Sequence, residues 1–390
     1  MQNKIKVVII QCICPHYRVP FFKKLAEKVD LTLFYGRGEK TGSWQNAKNI
    51  DGFNHKKLFS ISVKFHIKDF PVHPVWFPNL LFVIHNQKPK VIITEGFTNI
   101  INNIFIWSYC KYFSIPLIIW DSGRRKEKPM NFLRKLVEPI NIFLLKQAKA
   151  IIAYGSIAKN YFISLGINPE KIFVAQNTID VDSCFKNASR LIVNSKRIEE
   201  IKKKYILNGK KVILYIGSLE KRKNIDNLIQ IFNELKKRIS NIVLLIIGDG
   251  SHKERLLNLV KEENIKDCLF LGRIIENIEI YFMLSDVFVQ PGWNSLATIE
   301  AQAYGKPVIT VKHGGPEYEV IKNGETGFVI ERGNSNKLKW AISKIICNET
   351  LKKQMGICAQ QRVKFITLDN MVREFSKAIK GLAEHDPRYR

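Results

Sequence analysis

The stretch at residues 290–310, QPGWNSLATIEAQAYGKPVIT, restricts the fold more than any other part of the chain. An apolar run over 286–290 ends in Pro291-Gly292, a helical stretch over about 295–304 is closed by Gly305, and a second apolar run fills 307–310. Pro and Gly interrupt a strand and Gly is a common helix stop, so the pattern reads strand, loop, helix, strand. Asn294 or Ser295 caps the helix, and the free amides of its first turn point into the loop that the strand has just left, where an anion is stabilised. Ala297, Ala301 and Ala303 leave room for a close neighbour. Glu300 lies on this helix either as a solvated side chain of an ordinary crossover or as a ligand contact, and this stretch alone leaves both readings open.

The same alternation recurs along the chain. Strand patterns at 4–11, 31–35, 91–94, 116–120, 150–154 and 172–176 are separated by helical ones, and a second series runs through 212–216, 242–247, 269–271, 287–290 and 308–310. Between them lies a charged, weakly patterned segment with Lys202-Lys203-Lys204. After about residue 335 only helical patterns remain. A chain of 390 residues exceeds one core of common size. The expectation is therefore an α/β protein of two doubly wound Rossmann-like domains, at 1–185 and 209–365, joined by a linker at 186–208. A C-terminal helix over 366–390 is expected to pack back on the first domain.

Lysine and arginine number 62 against 35 acids, a net charge of +27 spread over both halves. Such a field attracts phosphates, nucleic acid or an anionic membrane without choosing among them. Residues 40–90 interleave Trp44, Phe53, Phe59, Phe65, Phe70, Trp76, Phe77 and Phe82 with Lys56, Lys57, Lys64 and Lys68. These read either as a membrane interface or as core strands with snorkelling lysines. No nucleic-acid-binding signature accompanies them, and no nucleic-acid partner is expected. A second basic cluster begins at Arg124 and Arg125. Seven cysteines form neither a disulfide framework nor paired zinc-ligand spacing, which points to a reducing compartment. The N-terminal apolar run is too short for a signal peptide. The uncharged stretch at 70–87 carries three prolines, so no transmembrane helix is expected.

Chemistry concentrates where strands end. GSLEKRKN at 217–224 sets Arg222 and Lys223 beside a helix start, as a grip for a diphosphate or as a plain basic turn. Asp249 within Gly248-Asp249-Gly250 and Arg273 after Gly272 leave the next two strands in the same sense. In the first half, His16 and Arg18 follow the first strand, and Glu95-Gly96 and Asp121-Ser122-Gly123 end two others. Ligands of open α/β sheets bind at such edges.

Taken in order, GSLEKRKN, IGDG, FLGR, SDVFVQPG, IEAQAYGKPVI and NGETGFV resemble the nucleotide-binding half of the group 1 glycosyltransferases, glycosyltransferase family four. The first half resembles them more loosely through PHYRVPFF, WDSGRR and YGSIAKNY. The resemblance implies the GT-B architecture, two Rossmann-like domains facing across a cleft. It implies a retaining, metal-independent transfer from a UDP-, GDP- or ADP-linked sugar, which is a co-substrate, with no other cofactor. Arg222 and Lys223 would hold the donor diphosphate, Glu300 the ribose, and Asn294, Ser295 and Leu296 would offer amides to phosphate or sugar. Gly217, Asp249 and Arg273 would complete the nucleotide site. His16 and Asp121 would stand at the reacting centre, and Arg18, Glu95, Arg124 and Arg125 on the acceptor side. One position departs from the family. Members commonly carry a second glutamate eight residues before the ribose glutamate, and here that residue is Gly292.

With the charge, this reading leads to a cytoplasmic enzyme, peripheral on the inner membrane, that glycosylates a lipid-linked or other envelope acceptor such as lipopolysaccharide or capsule. The rivals are a membrane- or nucleic-acid-binding protein on an inactive transferase scaffold, and a sugar-nucleotide epimerase of the same architecture.

Overall fold

A computed structural model of the chain describes residues 4–38, 45–62, 65–67, 70–72, 74–123, 132–193, 196–293, 295–312 and 318–384. Arg124, Arg125 and Asn294 lie outside the described residues, as do Trp44, Lys64 and Lys68. The chain forms two compact units. One comprises residues up to Ile179 together with those from Leu368 on, and the other Asp180–His313 with Glu317–Thr367.

The first unit opens with β1 (Lys6–Gln11), α1 (Val19–Lys28), β2 (Asp30–Tyr35) and β3 (Asn54–Lys57). Two small hairpins follow, in which β4 (Ile61–Ser62) encloses β5 (Phe65–Ile67) and β6 (Phe70–Val72) before pairing with β7 (Val75–Trp76). Next come α2 (Leu80–Gln87), β8 (Val91–Glu95), α3 (Ile100–Tyr112), β9 (Leu117–Asp121), α4 (Phe132–Gln147), β10 (Ala150–Ala153), α5 (Ser156–Ser164) and β11 (Ile172–Val174). The second unit contains α6 (Val181–Val193), α7 (Lys196–Lys204), β12 (Lys211–Ile216), α8 (Ile225–Lys236), β13 (Ile242–Ile247), α9 (Lys253–Glu262) and β14 (Cys268–Gly272). It continues with α10 (Ile278–Leu284), β15 (Val287–Gln290), α11 (Ala297–Ala303), β16 (Val308–Val311), β17 (Gly327–Ile330), α12 (Ser335–Ile346) and α13 (Glu349–Val363). The final helix, α14 (Leu368–Glu384), belongs to the first unit.

Each unit is built on one parallel sheet. The first sheet runs β11-β10-β9-β8-β1-β2-β3 and the second β14-β13-β12-β15-β16-β17. In both, strand order reverses beside the first strand, between β1 and β8 and between β12 and β15, leaving a crevice at the carboxyl edge where ligands bind in this topology. Helices cover both faces, which is why the central strands read as unbroken apolar runs. IVLLII of β13 is buried at all six positions.

The charged segment expected as a weakly patterned linker is largely helical. Cys184, Ala188 and Leu191 of α6 are buried, and α6 lies against α10 and α11. Burial of one stripe decides for the helix where the lysines alone gave no signal. Of the interleaved aromatics, Phe77 is a buried core residue and Phe53 packs beside the core, whereas Phe59, Trp76 and Phe82 are exposed. The core reading thus applies to Phe77 and Phe53. No helix among the described residues is long and apolar enough to cross a membrane.

Helix α14 buries Leu368, Met371, Val372, Phe375, Ala378 and Ile379, spaced three and four apart so that they share one face. The Phe375 ring centroid lies 4.8 Å from that of Phe21 on α1 and 4.9 Å from that of Trp120 on β9. Phe375→Ala leaves a cavity under this contact and is expected to lower the unfolding free energy by about 3–5 kcal/mol in urea denaturation.

Candidate functional site

In the first unit the strand-end residues lock to one another. The Cys12 amide, just past β1, donates to Glu95 Oε2 at 3.0 Å and so spans the crevice between β1 and β8. Burial raises the Glu95 pKa, opposed by that amide and by the positive charge of Arg18. Arg18 is only 4% exposed. Its guanidinium carbon lies 4.5 Å from the Trp120 ring centroid and 5.6 Å from that of Tyr154, a cation held against aromatic faces. Asp121 accepts the Phe97 amide at 3.0 Å and the Gly123 amide at 2.7 Å. A Cβ on Gly96 would fall 1.6 Å from Asp121 Oδ2, so the two loops meet only because residue 96 is glycine. His16, in contrast, is exposed, with its ring edge-on to Tyr17. Among these candidates His16 is the side chain that faces solvent.

The second unit gathers its candidates on the loops after β12 and β15, at its own switch point. Lys221–Lys223 forms a 3-10 turn, and Asn224 takes a left-handed conformation, φ 54°, before α8 begins. Asparagine tolerates that conformation, and Asn224 Nδ2 reaches the Pro291 carbonyl at 3.3 Å. Lys223, 5% exposed, donates from Nζ to the Trp293 carbonyl at 2.7 Å, while the Trp293 amide donates back to the Arg222 carbonyl at 3.3 Å. Gly292 lies inside this clasp. A Cβ there would stand 2.5 Å from the carbonyl oxygens of both Arg222 and Lys223. The position at which the family resemblance implied a glutamate is thus closed to a side chain by the basic turn itself.

Arg222 Nε bonds Glu220 Oε2 at 2.5 Å. Burial works against ionisation of Glu220, but the guanidinium prevails and holds its carboxyl below the ordinary value. This partner of Arg222 lies within GSLEKRKN but carried no separate signal in the sequence. The Gly217 amide donates to the Ile247 carbonyl at 3.0 Å, and the Leu219 amide to that of Asp249 at 3.0 Å, tying the β12 and β13 loops. The Asp249 side chain is half exposed, and Arg273 is exposed.

Ser295 Oγ is withdrawn from solvent with no hydrogen-bond partner among the described residues. The Ser295 and Leu296 carbonyls open α11 by accepting the amides of Thr298 and Ile299. Glu300 is half-buried, and burial, with the negative charge of Glu279 on α10, pushes its carboxyl up to about 7. Beyond it, Cys184 of α6 hydrogen-bonds Tyr304. The surroundings that tune Glu300 come from α6 and α10, remote in the sequence, where no motif marked them. The predicted residues therefore form two sets, one at the carboxyl edge of each sheet. Arg222 and Lys223 meet Gly292 and Trp293 in the clasp, and Ser295 and Leu296 follow in the same loop, with Glu300 one turn along α11.

Residues 196–362 match the family model of the glycosyl transferases group 1. The chain is 22% identical over 405 residues to an uncharacterised glycosyltransferase of Methanocaldococcus jannaschii, covering 97% of this chain and 99% of that one. It is 30% identical over 272 residues to a capsular polysaccharide biosynthesis glycosyltransferase of Staphylococcus aureus, 64% of this chain and 67% of the relative. The crystal structure of Anabaena HepE in complex with UDP is similar in fold, with a TM-score of 0.74 at 14% identity over 97% of this chain and all of that one. With two parallel α/β units of the GT-B kind and this run of strand-end motifs, the chain belongs to the group 1 glycosyltransferases.

Proposed function

We propose that this enzyme takes a sugar from a nucleotide-sugar donor and joins it, with retained anomeric configuration and without a metal, to a lipid-linked or other cell-envelope acceptor. The observation that carries the reading is the buried Lys223 ammonium beside Arg222 at the switch point of the second sheet. A cation there meets the charge that develops on a departing diphosphate, in a site that need not reorganise as it forms. The bond from the anomeric carbon to phosphate oxygen breaks, the acceptor oxygen bonds the same face, and its proton passes to the leaving phosphate. The Ser295 hydroxyl, withdrawn from solvent and without a partner among the described residues, supplies a further donor toward the same loop. Ionised Glu300 accepts the ribose hydroxyls. The capsular relative by its name, and the UDP held by the Anabaena protein, support an envelope acceptor and a nucleotide donor.

An anionic membrane surface on the cytoplasmic side is the proposed place of work. Helix α3 exposes Ile101, Ile104, Phe105 and Tyr112, spaced as one outward stripe, with Phe105 47% and Tyr112 83% exposed. Across from it α4 exposes Ile140 and Phe143, and the Phe143 ring contacts Trp107 of α3. Lys111 on α3 and Lys146 on α4 flank this apolar face, the pairing that suits a bilayer with acidic headgroups.

Lys223→Ala and Glu300→Ala are expected to lower kcat/KM for the donor by roughly 10²–10³ while far-UV circular dichroism stays unchanged. Because Glu300 titrates near 7 in the fold, wild-type donor affinity is expected to rise as pH passes upward through about 7. Glu300→Gln should bind weakly without that rise, as read by calorimetric titration. The sign for folding is the reverse. A carboxyl whose pKa is raised in the fold stabilises below its unfolded value and loses that contribution as pH rises through about 7, so Glu300→Gln should gain stability relative to the wild type above that pH. Gly292→Glu, the family's residue, is expected to lower both activity and thermal midpoint, because its Cβ displaces the Arg222–Lys223 turn. Sedimentation with phosphatidylglycerol vesicles should carry down the wild type at low salt and lose Phe105→Ser/Tyr112→Ser.

A further inference from the structure

A cavity of about 430 Å³ opens at the amino edge of the second sheet, the edge opposite the clasp. Ser285 and Asp286 line it just before β15, Gly305, Lys306 and Pro307 just before β16, and α7, the end of α10 and α13 supply the rest of the wall. Four lysines reach it, Lys202, Lys306, Lys352 and Lys353, against two acids, Asp286 and Glu349. Both acids are committed. Lys352 bridges Asp286 and Glu349, and the second Asp286 oxygen takes the Val212 amide at 2.6 Å. Lys202 pairs with Glu199 outside the cavity wall.

Lys306 is the exception. Its Nζ donates to the Met283 carbonyl at 3.0 Å and makes no other hydrogen bond or ion pair among the described residues. An ammonium has three donors, so two are left to face the cavity. Burial drives its pKa down to about 8, with Asp286 opposing and Lys352 adding to the fall. A cationic cavity whose acids are already paired, around a lysine with open donors, is half of an ion-binding site.

We propose that this cavity is a second anion site, distinct from the donor clasp, that binds the phosphate group of a soluble phosphorylated metabolite on Lys306. A dianion would satisfy the open donors and restore full charge to the amine. Lys306 also follows the end of the helix that carries Glu300, since its own amide caps Ala301 at 2.9 Å. The inference does not depend on the transferase reading.

Pyridoxal 5′-phosphate tests it, because that probe joins an aldehyde to a phosphate group. The Lys306 amine adds to the aldehyde and loses water to give an imine, and borohydride supplies the hydride that fixes it as a secondary amine. Peptide mapping after labelling of the full chain at pH 8 is expected to find Lys306 as the main site. Inorganic phosphate should reduce that label about tenfold, while UDP, GDP and ADP leave it unchanged. Lys306→Met, which removes the under-satisfied ammonium, should fold with an unchanged circular dichroism spectrum and lose the label. Labelling spread evenly over surface lysines, no protection by phosphate, or protection by a nucleotide would each overturn the site. So would protection by phosphatidic acid vesicles but not by free phosphate, which would assign the site to a lipid headgroup.

Discussion

The second unit of this enzyme depends, at the carboxyl edge of its sheet, on a backbone-to-backbone approach at one glycine. Gly292 brings the loop after β15 against the carbonyls of Arg222 and Lys223, and every other contact of the clasp presupposes that distance. Lys223 reaches the Trp293 carbonyl, Trp293 returns an amide to Arg222, and Asn224 reaches Pro291, all across the same gap. A buried ammonium is stable only where such partners exist. The glycine at position 292 and the tight basic turn are thus one structural fact.

Buried charge in this chain is managed by three different means. Arg18 is placed against aromatic faces, with the carboxylates Glu95 and Asp121 set in the loops at the same edge and held by backbone amides. Glu220 is kept ionised by the guanidinium of Arg222. Glu300 and Lys306 are left with incomplete partners, so burial moves each toward its neutral form. The first two arrangements hold loops in position. The third leaves groups whose charge a ligand can change, and these stand six residues apart, Glu300 within α11 and Lys306 just after it.

Much of the architecture was legible because parallel sheets covered on both faces write themselves as apolar runs. The strands at 212–216, 242–247 and 287–290 were found almost residue for residue. The strand-end loops were legible for a related reason, since each must change from apolar strand to Gly-rich, charged turn within two or three residues. The helices α6 and α7 were not, because the stripe that α6 buries is covered by α10 and α11 from far along the chain, and lysine-rich α7 buries no residue that could mark it.

By itself, then, the sequence determined the strand and helix alternation around the central strands of both sheets and the strand ends and following turns or helix at which Arg222, Lys223, Ser295, Glu300, Glu95 and Asp121 lie. Local pattern is sufficient for these, because they follow from periodicity and from where strands stop. Only the tertiary structure decided which of these side chains are held and which are open. Arg18 turned inward to aromatic rings, both Asp121 oxygens were taken by amides, Gly292 was closed by a neighbouring turn, and Lys306 was left with a single acceptor. Each outcome depends on atoms distant in the chain but within a few ångströms in space, and hydrogen bonding, burial and steric exclusion act at that range alone.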